Sequence, residues 1–154
     1  MPIINIHSIS PEETRPLRRA VLRPDQSPEE SIYPGDDAPD TLHLGAYLNG
    51  ETVGVASLYH EPPPGEDDET AWRLRGMAIL PQLQRQGYGK ALLERCLAHV
   101  SAQGGITLWC NARTTAAEFY RASGFEVIGE EYELPGIGMH YMMRRRLADS
   151  QLER

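Results

Sequence analysis

The sequence predicts a mixed α/β fold in which the strands belong to one sheet of a single domain. The length of 154 residues fits one domain, and a hydrophobic fraction of 40% can supply its core. Alternating apolar residues, typical of strands, lie on both sides of a segment with helical spacing. The predicted order is strand, helix, three strands, helix, strand, helix and two strands. We expect one domain over residues 1–148 and a frayed tail over residues 149–154.

The first predicted elements are a short strand and a capped helix. Residues 2–7 have the apolar content of a strand. Ser10, Pro11 and Glu13 then form the pattern of a capped helix start. The apolar face of this helix, which we expect to end near residue 22, consists of Leu17, Ala20 and Val21.

A long irregular connection and a hairpin follow the first helix. Prolines interrupt residues 24–40, so this stretch has room for short helical turns at most. Residues 42–48 and 53–59 alternate as two strands, and the Asn-Gly pair after the first strand favours a tight hairpin turn. After an acidic loop, a further strand is expected over residues 71–80.

The C-terminal half alternates helices and strands. Apolar residues recur at helical spacing from residue 87, and a Gly-Gly pair at residues 104 and 105 ends this helix. A short buried strand is expected over residues 106–110. Thr115 and Glu118 form a second capping box, and the helix that it opens ends at Gly124. Two more strands are expected over residues 125–132 and 139–147.

Composition argues against several classes of function. The formal net charge of −7 disfavours general nucleic-acid binding, which needs a basic surface. The sequence has no apolar run long enough to span a membrane, and its first residues lack the basic and apolar regions of a secretory signal. Without a C-x-x-C pair or an H-E-x-x-H helix, we expect no metal site.

The two cysteines bear on the cellular compartment. Cys96 and Cys110 lie in apolar segments, so buried, reduced thiols in a cytoplasmic protein are the simplest interpretation. A single disulfide in a secreted protein is the alternative.

Charge is distributed unevenly along the chain. Residues 61–69 contain five acids and no base, whereas residues 71–90 contain four bases and no acid. A local basic surface can attract an anionic ligand, but a solvated acidic loop beside a solvated basic face is the favoured explanation of these residues by themselves. Arg73 and Arg75 share a strand face by their spacing. They are candidates for contact with an acidic acceptor group or with the acidic loop, and exposed surface charges are the simpler alternative.

The segment with the clearest chemical meaning joins the strand at residues 71–80 to the long helix. Gly87 and Gly89 stand at the start of that helix. A helix N-terminus presents unpaired N–H groups and partial positive charge, so it binds phosphate groups readily. Arg85 and Lys90 can add charge-assisted contacts. Neither the P-loop pattern nor the dinucleotide-binding pattern is present, and two glycines by themselves are explained by a tight turn.

Two motifs in sequence order give a more specific hypothesis. The segment Gln84-Arg85-Gln86-Gly87-Tyr88-Gly89 resembles the Q/R-x-x-G-x-G/A acyl-CoA loop of the GNAT acetyltransferases. The segment Phe119-Tyr120-Arg121-Ala122-Ser123-Gly124-Phe125 resembles the second signature of that family, F-Y-x-x-x-G-F. The resemblance spans nearly the whole chain. It implies the GNAT acyl-CoA N-acyltransferase fold, a mixed and mostly antiparallel sheet flanked by helices.

The resemblance also implies an activity and a cofactor site. GNAT enzymes transfer an acetyl group from acetyl-CoA to an acceptor, usually a primary amine, and the pantetheine arm lies where the fourth and fifth strands splay apart. The strand edge that pairs with pantetheine is implied to be Met77, Ala78 and Ile79, with an N–H near Ile79 polarising the thioester carbonyl. The pyrophosphate cradle is implied to be Gln84, Arg85, Gln86, Gly87, Tyr88, Gly89 and Lys90. Asn111 matches a position that often contacts the cofactor arm.

Tyr120 matches the family tyrosine that acts as general acid. Collapse of the tetrahedral intermediate expels a thiolate, which a positioned hydroxyl can protonate. Without the resemblance, Tyr120 reads as a core aromatic residue on a short helix. The general base stays open, because the fourth strand carries Arg73 and Arg75 where many relatives have an acid. Candidates by residue type are His43, His60, Glu61 and His140.

Two functional hypotheses follow from these residues. The first is an N-acetyltransferase that moves the acetyl group directly to a small-molecule or peptide amine, without an acetyl-cysteine intermediate. The second is a non-catalytic acyl-CoA binding or sensing module on the same fold. A longer donor such as succinyl-CoA is a further alternative. We expect acetyl-CoA as co-substrate, no nucleic-acid or membrane partner, and a homodimer as a family-level expectation.

Overall fold

The computed structural model describes residues 4–147, so the expected tail and the first two residues of the predicted first strand lie outside the described residues. The strands are β1 (Asn5–Ser8), β2 (Leu42–Leu48), β3 (Glu51–Tyr59), β4 (Ala71–Ile79), β5 (Thr107–Arg113), β6 (Glu126–Leu134) and β7 (Gly138–Arg146). The α-helices are α1 (Pro11–Leu17), α2 (Tyr88–Ala102) and α3 (Ala117–Ala122). Short 3₁₀ turns lie at Pro28–Ser31, Pro81–Leu83 and Thr114–Ala116, and a π-helical turn at Arg18–Leu22.

The strands form one mixed sheet in the order β1-β2-β3-β4-β5-β7-β6. Four neighbouring pairs are antiparallel: β1 with β2, β2 with β3, β5 with β7, and β6 with β7. β4 and β5 are parallel, with Ala71 opposite Thr107 and Arg73 opposite Trp109. The predicted element order and the mixed, mostly antiparallel sheet are therefore confirmed.

The described chain divides into two compact units. Unit 1 contains the described part of Met1–Tyr59 together with Leu74–Ala98, and unit 2 contains His60–Arg73 together with the described part of His99–Arg154. Unit 1 is organised by the β2–β3 hairpin, whose turn residues Asn49 and Gly50 have φ of 53° and 80°. Positive φ at both residues is the conformation for which an Asn-Gly turn is selected. The hairpin prediction is confirmed.

Helix α1 begins as its sequence predicts and continues differently. The Ser10 side chain accepts a hydrogen bond from the Glu13 N–H, and the Glu13 carboxylate accepts one from the Ser10 N–H. This reciprocal pair is a capping box. Leu17 packs with Val55 and Ala78 in the core of unit 1, but Ala20 is exposed. Assigning Ala20 to the apolar face was wrong, because the π-helical turn after Leu17 changes the helical periodicity.

Unit 2 has an apolar centre and one misread helix start. Trp72, Trp109 and Cys110 are each at most 3% exposed, and both cysteines are free and buried. The predicted capping box at Thr115 is wrong, because a 3₁₀ turn precedes α3 and the helix has no side-chain cap. The predicted stop at Gly124 is confirmed by its φ of 91°.

Candidate active site

The loop that precedes α2 is fixed by backbone conformation and by two glutamines. The Gln84 side-chain amide donates a hydrogen bond to the Ile79 carbonyl (3.0 Å), and that of Gln86 donates to the Gln82 carbonyl (3.2 Å). Arg85 and Gly87 have φ of 65° and 89°. A positive φ is uncommon for a residue with a side chain, and such conformations concentrate at functional sites. The loop therefore has a defined shape and is joined to the end of β4.

The N-terminus of α2 presents backbone donors to solvent. The first i to i−4 hydrogen bond of the helix joins the Ala91 N–H to the Gly87 carbonyl (3.1 Å). The N–H groups of Tyr88, Gly89 and Lys90 consequently have no acceptor within the helix. A Cβ built on Gly87 would meet no atom within 4 Å, so the outer side of the loop is open. Arg85 and Lys90 are exposed, and all these features are those of an anion cradle.

Strand β4 contains a residue with positive φ just before the residues expected to pair with a cofactor arm. Gly76 has a φ of 68° inside the strand, a conformation that glycine adopts without steric cost. An isolated glycine in a strand pattern is a bulge signal, and the sequence interpretation passed over it. Met77 is half-buried, while Ala78 and Ile79 are buried. Unit 1 thus brings Met77, Ala78 and Ile79 together with the Gln84–Lys90 loop.

A buried ion pair lies beside Gly76, and the sequence interpretation missed it. The Arg18 side chain is fully buried and donates to both carboxylate oxygens of Asp36, at 2.8 and 3.1 Å. It also donates to the Ser31 carbonyl and to the hydroxyls of Ser57 and Tyr59. A charged residue is seldom buried completely unless it is paired. No local pattern marks Arg18 as buried, since its partners lie 13 to 41 residues away.

The same ion pair controls ionisation in unit 1. Burial alone would raise the pKa of Asp36, but hydrogen bonds from Arg18, Tyr59 and the Tyr33 N–H outweigh burial and hold this pKa below its ordinary value. Burial raises the pKa of Tyr59 well above its ordinary range. Asp36 is therefore a carboxylate and Tyr59 a neutral phenol at neutral pH, and the phenol donates to Asp36 at 2.6 Å.

In unit 2, Asn111 lies on β5, a longer strand than predicted, and it has one defined partner. The Tyr132 hydroxyl donates a hydrogen bond to Asn111 Oδ1 at 2.6 Å. This bond orients the amide, so that its NH₂ group points away from Tyr132. Burial raises the pKa of Tyr132, which keeps its hydroxyl protonated as the donor.

Tyr120 lies on α3 in an aromatic setting within unit 2. Its ring is in edge contact with Phe119 and Phe125, at centroid distances of 5.1 and 5.4 Å. The residue is 8% exposed. Edge contacts fix the plane of an aromatic ring and hence the direction of a phenol hydroxyl. Both the core interpretation and the catalytic interpretation of Tyr120 are compatible with this packing.

The two thiols are poor nucleophiles. Burial raises the pKa of Cys96 and of Cys110 to about 12. Since the thiolate is the reactive form of cysteine, these side chains are inert near neutral pH.

The four candidate bases differ in how they are held. His43 is buried, with Nδ1 2.6 Å from Ser57 Oγ and Nε2 2.9 Å from the Asp36 carbonyl, so it is a structural residue. His60 stacks on Trp72, with its Nε2 2.6 Å from the Glu69 carbonyl. His140 is buried, with Nδ1 2.8 Å from the Gly138 carbonyl.

Glu61 is paired with Arg73 on β4. Its carboxylate lies 3.5 Å from Arg73 Nη1, and Arg73 Cζ lies 4.9 Å from the centre of the Trp109 ring. Of the alternatives left open for Arg73, the structure shows the contact with the acidic loop and not the simpler alternative of an unpaired surface charge. Among residues 4–147, no group of three or more potential metal-ligating side chains is found.

Solved structures show which class this fold belongs to. Escherichia coli ElaA superposes with a TM-score of 0.76 at 20% identity, covering 93% of this chain and 99% of that one. An aminoglycoside 6'-N-acetyltransferase complexed with coenzyme A superposes with a TM-score of 0.73 at 14% identity, covering 92% and 96%. The fold is that of the GNAT acyltransferases, as the motifs predict.

Sequence comparison identifies the family. A family model described as an acetyltransferase (GNAT) domain matches residues 6–146. YitI of Bacillus subtilis, named an uncharacterised N-acetyltransferase, is 34% identical over 149 residues, which cover 97% of this chain and all of YitI. The chain belongs to the GNAT acetyltransferase family and is an acyltransferase enzyme. None of the helices in the described range is both long and apolar enough to cross a membrane.

Proposed function

We propose that this enzyme transfers an acetyl group from acetyl-CoA directly to a primary amine of a small-molecule or peptide acceptor. The observation that carries the proposal is the glycine-built N-terminus of α2, whose N–H groups and flanking cations suit a pyrophosphate. The similar fold of an aminoglycoside 6'-N-acetyltransferase complexed with coenzyme A supports both the cofactor and an amine acceptor.

The cofactor contacts are assigned to the loop before α2, to the end of β4 and to Asn111. The N–H groups of residues 87–90, with Arg85 and Lys90, hold the pyrophosphate, and Gln84 and Gln86 keep the loop in shape. The backbone of Met77, Ala78 and Ile79 pairs with pantetheine, and an N–H near Ile79 donates to the thioester oxygen as negative charge develops there. Asn111 supplies its NH₂ group to the cofactor arm.

The chemistry is one addition and one elimination. The neutral amine nitrogen attacks the thioester carbon, and the resulting tetrahedral intermediate expels the thiolate as the carbon–sulfur bond breaks. Tyr120 donates its proton to that sulfur, and the amine proton leaves to solvent or to a basic group. Direct transfer is favoured over an acetyl-cysteine intermediate because burial keeps both cysteine thiols protonated.

Further properties accompany this proposal. The family match over residues 6–146 favours one acetyltransferase domain over residues 1–148. Free, buried thiols favour a reducing compartment such as the cytoplasm. We propose that the enzyme needs no metal and pairs into a homodimer.

Cofactor binding is the first test. Acetyl-CoA at one hundred times its dissociation constant should stabilise the protein by about 2.7 kcal/mol, which thermal denaturation and calorimetry measure. Equal stabilisation by succinyl-CoA would leave the donor length open. Absence of binding at millimolar acetyl-CoA contradicts the proposal.

The role of Tyr120 is the second test. Tyr120→Phe removes only the hydroxyl, so we expect turnover to fall by about a hundredfold or more while acetyl-CoA affinity is retained. Tyr47→Phe is the matched control, because the Tyr47 hydroxyl donates to Glu13 at 3.1 Å on the surface of unit 1. Unchanged turnover in Tyr120→Phe would show that another group protonates the thiolate.

A further inference from the structure

One cluster in unit 1 is not explained by cofactor binding. Three guanidinium groups surround the Tyr33 ring: the Cζ atoms of Arg18, Arg75 and Arg23 lie 4.0, 4.1 and 5.5 Å from its centroid. Asp36 accepts hydrogen bonds from Arg18 and from the Tyr33 N–H. We call these five residues the Tyr33 cluster. Cation–π attraction holds each guanidinium to the ring.

The members of the Tyr33 cluster have different electrostatic roles. Arg18 and Asp36 form a buried, bidentate pair, so their charges largely cancel. Arg23 and Arg75 are half-buried and add two further positive charges to the cluster. Exposed acids occur in the same segment of chain, namely Asp25, Glu29, Glu30, Asp37 and Asp40. Water and salt screen exposed charges much more than half-buried ones, so the cluster itself favours an anion.

The Tyr33 cluster contacts β4 at Gly76, just before the strand edge assigned to the thioester. A Cβ built on Gly76 would come within 3.0 Å of Tyr33 Cε2 and 3.1 Å of Arg18 Nε. Ile79 follows Arg75 by four residues, which is about 13 Å along a strand. The long Arg75 side chain can therefore hold the carboxylate of an acceptor whose amine attacks at that edge, provided that several bonds separate the two groups.

The Nε atom of Arg18 shows that hydrogen bonding alone does not fix the position of this guanidinium. It is a buried donor with no hydrogen-bond partner, although unsatisfied buried donors are rare. In the observed position the Arg18 guanidinium stacks on Tyr33 and bonds to Asp36, and its Nε–H is left without an acceptor. Tyr33 is thereby fixed against β4, with Arg75 on its ring.

We propose that the Tyr33 cluster recognises the acceptor, and that the acceptor is an amine that also carries a carboxylate. This inference rests on the proposed N-acetyltransferase function and names its acceptor class. Arg75 binds the carboxylate in a charge-assisted contact, for which the guanidinium fork is well suited. Arg23 adds positive charge, and the Arg18–Asp36 pair positions Tyr33.

The experiment compares acceptors that differ only in the carboxylate. Glycine, γ-aminobutyrate and ε-aminocaproate are each assayed against their carboxamides at saturating acetyl-CoA, with an aminoglycoside as a polycationic amine. We expect KM for at least one carboxylate to be about tenfold or more below that of its carboxamide, because a charge-assisted contact is lost. Calorimetry of the same amines with the CoA complex measures binding independently of turnover.

Arg75→Gln tests the assigned residue, and Arg19→Gln is its control because Arg19 is an exposed arginine next to Arg18. Arg75→Gln should raise KM for the carboxylate about tenfold, leave the carboxamide and acetyl-CoA affinity unchanged, and so remove the preference. Arg19→Gln should retain the preference for the carboxylate.

Four results would overturn the inference. They are equal use of carboxylates and carboxamides, preference for the aminoglycoside, a carboxylate preference that survives in Arg75→Gln, and carboxylates that are neither acetylated nor bound. Failure of the proposed function is distinct, because acetyl-CoA itself would then be neither bound nor consumed.

Discussion

Two segments of unit 1 border β4, and they are held in shape by different means. The Gln84–Lys90 loop relies on backbone conformation, with positive φ at Arg85 and Gly87 and with hydrogen bonds between near neighbours. The irregular segment at residues 24–40 relies on side chains that are distant in sequence, chiefly the pair of Arg18 with Asp36. The first segment is open to solvent, whereas the second closes on a buried ion pair.

This difference indicates which segment matters more for the stability of the fold and which matters more for cofactor binding. A single substitution in the Gln84–Lys90 loop should reduce the stability of the protein little, but it can remove a contact to the ligand. A buried charge that has lost its partner destabilises the whole fold, since the free-energy cost of its desolvation is no longer offset. Substitutions in the two segments should therefore separate stability from cofactor binding.

The largest expected effect comes from breaking the buried pair. Asp36→Asn keeps the side-chain size but leaves Arg18 charged and buried without its carboxylate, so we expect a loss of about 3–5 kcal/mol in the free energy of unfolding. Asp37→Asn, at the exposed neighbouring position, should change it by less than about 0.5 kcal/mol. Urea denaturation of both variants measures the difference, and similar losses would show that the pair does not organise the segment.

The second prediction concerns acid pH. Because the folded pKa of Asp36 is below its ordinary value, the stability from this group is complete above the unfolded pKa. It is lost as pH falls through the folded pKa. Over that range the wild-type free energy of unfolding should fall more steeply than that of Asp36→Asn, by up to about 1.4 kcal/mol per pH unit. Glu13, Glu29 and Asp68 also have lowered pKa values, so urea titrations must report the difference between the two proteins. Parallel pH profiles would contradict the prediction.

The fold was largely predictable because its signals are local. Strand alternation, the Asn-Gly turn and the glycine stops each depend on residues a few positions apart. The Tyr33 cluster was not predictable, because Arg18 reads as a solvated residue on a helix and meets Ser57 and Tyr59 only in the folded chain. Ala20 was misplaced for a related reason, since tertiary packing of Arg18 accompanies the π-helical turn.

The candidate site was predictable only where a motif carries it. The loop and the strand edge assigned to the cofactor lie together in unit 1, joined by the Gln84–Ile79 hydrogen bond. The positive φ at Gly76 had a signal in the sequence, a glycine inside a strand pattern. The general base had no signal in the sequence, because the ability of a side chain to accept a proton depends on partners that only the structure shows, as for His43.

The third prediction addresses the backbone cradle. Gly87→Ala forces a side chain into a positive φ and shifts the N–H groups of the loop, so we expect about tenfold weaker acetyl-CoA binding, as for one lost charged hydrogen bond. Gly104→Ala is the control, because Gly104 follows the other end of α2 with φ of 79° and nothing within 4 Å of a built Cβ. Both variants should lose similar stability, and calorimetry should find weakened binding in Gly87→Ala alone. Equal affinities would place the pyrophosphate elsewhere.

The smallest expected effect comes from the two capping boxes that the sequence predicts. At Ser10 both reciprocal hydrogen bonds are formed, whereas at Thr115 a 3₁₀ turn replaces the cap. Ser10→Ala should therefore reduce the free energy of unfolding by about 1 kcal/mol. Thr115→Ala should change it by less than about 0.5 kcal/mol, since the residue is exposed. Thermal denaturation of the two variants shows whether a capping motif stabilises a helix through its sequence alone or only where its hydrogen bonds are formed. If the two losses are equal, the Thr115 hydroxyl caps the helix in solution, and α3, which carries Tyr120, begins one residue before Ala117.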